Sequence, residues 1–224
     1  MDQLPEKVEQ KALEYLDKII VPSLQQVGGI ISDQVRLWRY KNQIKILNKA
    51  TALHQKYGIS LRKIPVKTLA SFMEYSSLEE DETLQNLWVN LLVNATDKEN
   101  SYYEHHSLIS ILKEVNKAEA LTLQYLCNLQ YSNHFSKTLL FVSENVNVFG
   151  FKFDHNNKVH FELRELLLNN LMRLNLIEFD YKVLSRVLKS SERININDNY
   201  RVTSLGKRLI KECTIPLSSG CQRG

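Results

Sequence analysis

Two groups of residues in this chain are of the types that do chemistry. Glu79, Glu80, Asp81 and Glu82 form a run of four carboxylates, which could hold a divalent metal or share acid and base roles. Arg36 and Arg39 lie in a basic segment, and guanidinium groups pair with carboxylates or phosphates through forked hydrogen bonds. The six histidines add no metal spacing. His105 and His106 are adjacent and cannot share a helix face as ligands four apart do. Cys127, Cys213 and Cys221 are far apart and odd in number, which argues against a disulfide framework and for a reducing compartment. Cys127 falls on an apolar helix stripe and reads as core. No Cys-x-x-Cys, Gly-x-Gly-x-x-Gly, Walker or Gly-x-Ser-x-Gly pattern occurs, so neither metal nor cofactor is expected.

The elements that must position these residues are mostly helices. Seven Gly and four Pro in 224 residues are few, which favours long helices over a turn-rich β fold. Val8 to Leu24 reads as a helix with a Pro22 kink, followed by the Gly28–Gly29 break. A long helix should run from Asp33 to Tyr57 and stop at Gly58. On its wheel Arg36 and Arg39 fall within the apolar arc with Tyr40, Ile44, Leu47 and Ala50. Trp38, Lys41, Lys45 and Lys49 fall opposite. Those four are the predicted interaction surface. A short helix from Val66 to Tyr75 comes next. Ser77 to Glu80 then has the form of a capping box, opening a helix with Leu84, Leu87, Trp88, Leu91, Leu92 and Ala95 on its core face. Glu80 and Asp81 share that face. A guanidinium in an apolar arc needs a partner, so Arg36 and Arg39 are expected to form structural ion pairs with Glu80 and Asp81.

Charge is segregated along the chain. Residues 1–33 sum to −3, 34–73 to +9, 74–180 to −8 and 181–224 to +6, within a total of +4. Such separation marks surfaces where partners dock rather than a reaction. The polar stretch Asp97–Glu104 is the predicted internal boundary. It gives an N-terminal helical domain over 1–97, a C-terminal domain over 98–214 and a disordered tail over 215–224. Ser107–Val115 and Ala118–Leu129 read as helices. Val148–Phe153 and Val159–Leu163 read as a β-hairpin around Asp154–Asn157. Leu163–Leu174 reads as an apolar helix, Leu176–Phe179 and Tyr200–Val202 as two short paired strands, and Ser204–Cys213 as a basic helix. This is a winged-helix-like end. The basic balance of 181–211 would suit nucleic-acid phosphates, but the central helix offers little to base edges beyond Asn169 and Asn170.

The ordered set Val35–Gln43, Lys63–Leu69, Ser77–Gln85 and Trp88–Ala95 resembles the abortive infection alpha family of bacterial proteins. Leu108–Leu112, Leu171–Ile177 and Val202–Lys207 are similar to that family's C-terminal part. The resemblance implies a role in defence against phage and carries over no catalytic residues.

The reading is therefore a mainly α protein: an N-terminal multi-helix assembly plus a C-terminal helical part with a β-hairpin and a winged-helix-like end. Its expected function is anti-phage defence by non-enzymatic interaction with a phage or host protein. A winged-helix DNA-binding regulator is one alternative. A metal-dependent nuclease or hydrolase using Glu79–Glu82 is the other. With no run of about 18 apolar residues and no leader-like N-terminus, a cytoplasmic protein is expected.

Overall fold

A computed structural model describes residues 10–11, 14–15, 18, 33–101, 105–131, 158–179 and 200–215; within its helices, the side chains of 33–37, 129–131, 158–161 and 164 stand outside that description. Seven helices and one two-stranded antiparallel sheet occur among the described residues. The helices are α1 (Asp33–Tyr57), α2 (Val66–Ser76), α3 (Glu82–Thr96), α4 (His105–Leu112), α5 (Lys117–Tyr131), α6 (Lys158–Arg173) and α7 (Ser204–Glu212). The strands β1 (Ile177–Phe179) and β2 (Tyr200–Val202) pair Ile177 with Val202 and Phe179 with Tyr200. The mainly helical architecture with a small C-terminal hairpin is the one the sequence predicts. The Pro22 kink, the Gly28–Gly29 break and the tail from Pro216 lie outside the described residues.

The chain forms two units, 1–114 with 211–224, and 115–210. In the first, α3 is the central element, with eleven of its fifteen residues buried, so it is covered on several sides rather than along one stripe. Ile44, Ile46, Leu47 and Ala50 of α1 belong to the same core, and Phe72 of α2 meets Trp88 edge-on at 5.4 Å. Gly58 ends α1 in the left-handed region at φ 61°, with Ile59 N donating to His54 O and Gly58 N to Gln55 O. This is the double hydrogen bond of a glycine-terminated helix.

The polar stretch at 97–101 is stitched into this unit and is not a linker. Leu61 bridges to Asp97, Lys98 N donates to Ser60 O at 2.8 Å, and Arg62 Nη1 donates to Asn100 O at 2.6 Å. Arg62 also covers the end of α3, its Nε donating to Ala95 O and its backbone N to Thr96 O. The boundary consequently falls after Glu114 instead of at Asp97, and the chain end returns to the first unit.

In the second unit, Asn116 and Glu119 form a reciprocal cap for α5: Glu119 N donates to Asn116 Oδ1 and Asn116 N to Glu119 Oε2. Asn175, at φ 56°, ends α6 with the same double bond pattern as Gly58. Thr203 Oγ1 caps α7 by accepting from Gly206 N at 3.0 Å. Val159, Phe161 and Leu163 are helical, which corrects the predicted hairpin at 148–163; its first strand and turn lie outside the described residues. Alternation holds there for only three positions. Over the full helix the four-residue spacing of Leu163, Leu167 and Leu171 prevails, and Leu167, Leu168 and Leu171 are buried.

Candidate functional site

Three places in the first unit gather polar side chains. At the first, α1 meets the turn between α2 and α3. Backbone N–H groups of the turn close the Met73, Tyr75 and Ser76 carbonyls at the end of α2, and α1 adds side-chain donors there. Arg39 donates from Nε to Ser77 Oγ and from Nη2 to Glu74 O, both at 3.0 Å. Asn42 Nδ2 donates to Ser77 O at 3.0 Å, and Gln43 Nε2 to Met73 O at 3.4 Å. Ser77 is consumed here: its hydroxyl donates to Glu74 O at 2.8 Å while accepting from Arg39. It therefore does not cap α3. Asp81 does, accepting from Thr83 N at 2.8 Å and Leu84 N at 3.2 Å.

For Arg39 the expected ion pair gives way to neutral acceptors. Arg39 uses a hydroxyl and a carbonyl in place of Glu80 or Asp81. Glu80 is exposed, and Asp81 spends one carboxylate oxygen on its helix. The Arg36 side chain lies outside the described residues. Of the predicted interaction surface, Lys45 is exposed, and Trp38 and Lys41 are half-buried. Lys49 instead ties α1 to α3, donating to Asn86 Oδ1 at 3.0 Å with Glu82 at 3.8 Å. No three His, Cys, Asp or Glu side chains among the described residues converge as a metal site requires.

The second place is a knot around Glu212, which is 1% exposed. Its Oε2 lies 3.3 Å from His105 Nε2 and accepts from Asn100 Nδ2 at 2.7 Å. Two asparagines one turn apart on α3 take the carbonyls at the chain's return. Asn94 Nδ2 donates to Glu212 O and Thr214 O, and Asn90 Nδ2 to Cys213 O. Burial pushes the Cys213 thiol well above its ordinary range, and the Glu212 carboxylate adds to the shift. Sequence reading missed this knot because its partners stand over a hundred positions apart. His105 was weighed only as a metal ligand.

The third place is a cleft of about 690 Å³ between the helical residues Lys11, Glu14, Tyr15 and Lys18 and the C-terminal half of α1. At its floor His54 Nε2 lies 3.0 Å from Thr96 Oγ1, which donates to Leu92 O at 2.7 Å. Thr96 thus accepts from the imidazole, which sets the proton on Nε2 and leaves Nδ1 as a buried acceptor with no hydrogen-bond partner. Burial lowers the His54 pKa below 6.5, and the neighbouring Ile59 backbone and the charge of Asp97 oppose this only in part. Tyr15 Oη is 3.3 Å from the same Thr96 oxygen, and burial raises its pKa well above the ordinary phenol value. His54 lies in the apolar arc of α1 with Leu47 and Ala50, so its wheel position was a usable signal.

In the second unit, the outward row of α6 is Glu162, Glu165, Leu166, Asn169 and Arg173, with Leu166 66% exposed. Asn170 faces inward, donating to Glu119 Oε1 at 2.8 Å and accepting from Arg173 Nε at 2.9 Å. Arg201 pairs with Glu178 across the hairpin at 2.8 Å. Of the other cations in the basic stretch 181–211, Lys207 and Lys211 are exposed and Arg208 half-buried on α7, while Lys182, Arg186, Lys189 and Arg193 lie outside the described residues. No helix among the described residues is long and apolar enough to cross a membrane.

No curated protein and no solved structure gives a significant match. A sequence profile of one family, abortive infection alpha, matches residues 39–213. That span takes in the Arg39 junction, the Glu212 knot, the cleft floor at His54 and Thr96, and the α6–β1–β2–α7 segment. Most of the chain is covered by it, and the protein belongs to the abortive infection alpha family.

Proposed function

We propose that this protein acts in phage defence by non-catalytic contact with a phage or host protein, made through the outward face of α6. Family membership supports the defence role at its general level. The observation that carries the contact reading is the composition of that face. A large apolar side chain, Leu166, stands 66% exposed beside Glu162 and Glu165. Carboxylates there disfavour DNA phosphates and favour a partner with a basic rim around an apolar centre. Asn170, one of the few groups of this helix suited to a base edge beside Asn169, Arg164 and Arg173, is already held by Glu119 and Arg173. We read α6, β1, β2 and α7 as a winged-helix-like module used for protein contact, and we place the protein in the cytoplasm, where phage components accumulate.

The test is tagged protein recovered from infected and uninfected cells, with protein and nucleic acid both identified. The expected result is an infection-dependent protein partner that Leu166→Glu abolishes together with plaque protection, at unchanged melting temperature. Recovery of DNA with a sequence preference that persists at physiological salt would favour the regulator reading instead.

A further inference from the structure

The cleft beside α1 has no role in the α6 contact. Two helix faces meet across it. One carries Lys11 and Lys18, two turns apart with Tyr15 between them; the other carries Asn48 and Gln55, also two turns apart with Ala52 between them. Ala52 is the smallest residue of its row, and the space lies over it. A volume of about 690 Å³ falls within the ~300–1,000 Å³ usual for small-molecule sites.

The electrostatics of the lining select a sign. Among the described lining residues Lys11 and Lys18 stand with one carboxylate, Glu14; Asp97 acts on His54 from outside the lining, and His54 is neutral at pH 7 because burial lowers its pKa. The carbonyls of the α1 terminus do not offset this: His54 O and Gln55 O are already taken by Ile59 N and Gly58 N. Asn48 donates Nδ2 to Ile44 O at 3.0 Å. The Gln55 side chain makes no hydrogen bond among the described residues.

We infer that this cleft binds a phosphorylated small molecule of about nucleotide size, with Lys11 and Lys18 on the phosphate and the Gln55 amide on the polar body. Lysine holds phosphate as a point charge, and side-chain amides bond the donor–acceptor edges of bases and sugars.

The experiment titrates ATP, ribose 5-phosphate and inorganic phosphate to millimolar concentration into ¹⁵N-labelled full-length protein, following the Gly58 and Ile59 amides at the cleft. ATP or ribose 5-phosphate should move both signals saturably, and inorganic phosphate should bind more weakly than either. Lys11→Glu and Lys18→Glu should each weaken binding about tenfold. Both lysines are exposed, so neither change should unfold the chain. Ala52→Phe, which fills the space without changing charge, should also weaken binding, whereas Lys45→Glu on the solvent face of α1 should not. The inference is overturned if no probe moves the two amides. It is equally overturned if Lys45→Glu weakens binding as much as the cleft variants, which would mark general attraction of anions, or if Ala52→Phe leaves binding intact.

Discussion

Two polar junctions of the first unit solve the same problem by different means. At the Arg39 junction a cation meets neutral oxygens at a half-buried site: Ser77 Oγ and Glu74 O at 3.0 Å. At the Glu212 knot a carboxylate sits 1% exposed against His105 and Asn100. A half-exposed guanidinium retains water and needs only a few good acceptors. A fully buried carboxylate has lost its water and depends on every donor it meets. The run Glu79–Glu82 looks like the charged centre of the chain, yet it serves as helix cap and solvent-facing surface, while the demanding charge is one isolated glutamate near the end.

The largest test of this contrast is His105→Leu. The change takes a hydrogen-bond partner from a carboxylate that is 1% exposed, a loss of about 3 kcal/mol that urea unfolding should register. The same change should loosen the chain return next to the knot. Cys213 is 1% exposed with its thiol held protonated, so in the native protein it should label slowly with a thiol reagent; His105→Leu should speed this. Cys127, its thiol pushed up to about 11 by burial, is the internal reference in the second unit and should keep its rate. If His105→Leu costs under about 1 kcal/mol, the knot is no more demanding than the Arg39 junction and the contrast fails.

Arg39→Met is the matching test. It takes a donor from Ser77 Oγ, which is buried, and from Glu74 O, which is exposed and keeps the Ser77 hydroxyl, so about 1–2 kcal/mol is expected. Asp81→Ala removes the cap of α3 and should cost about 1 kcal/mol, whereas Ser77→Ala should leave the start of α3 intact by amide exchange.

Much of this fold was legible in the sequence because its signals are local. Asp33 to Gly58 was read as helix and stop because a long period and one glycine lie in a single stretch. The paired strands at 177–179 and 200–202 were read from short β-branched and aromatic runs. Ser77 misled because the Ser-x-x-Glu pattern is local, while its fate was set by Arg39, which stands 38 residues upstream. The Glu212 knot had no local signal. Asn90, Asn94, Asn100 and His105 look like ordinary polar residues until the chain end returns to them. The cleft was half legible: His54 carried a core phase on its wheel, but nothing near it announced Tyr15 or Thr96.

His54 gives a smaller, pH-resolved effect. Its folded pKa lies below the ordinary 6.5, so between those two values the unfolded chain binds more protons than the folded one. Stability therefore rises with pH through that window and levels off above about 6.5. A series of urea midpoints from pH 5 to pH 7.5 should show the rise, and His54→Gln should flatten it. A slope that survives the substitution would assign the titration to other groups.

The smallest expected effect bears most directly on the difference between the two junctions. In a double-mutant cycle of Arg39→Met and Glu80→Gln, the coupling should be under about 0.5 kcal/mol. Glu80 is exposed, and Arg39 is already satisfied by Ser77 and Glu74, so the two charges meet only through solvent, where salt screens them. The same cycle with Asp81→Asn is less clean, because Asp81 holds the first turn of α3 and its loss adds a capping cost of its own. A cycle on Glu80 isolates the pair. Coupling above about 2 kcal/mol would mean that the guanidinium reaches the carboxylate in solution, and the Arg39 junction would then be an ion pair. Coupling near zero, beside a cost of about 3 kcal/mol for His105→Leu, would establish that burial decides which polar groups carry the fold of this unit, and that charge density along the sequence does not.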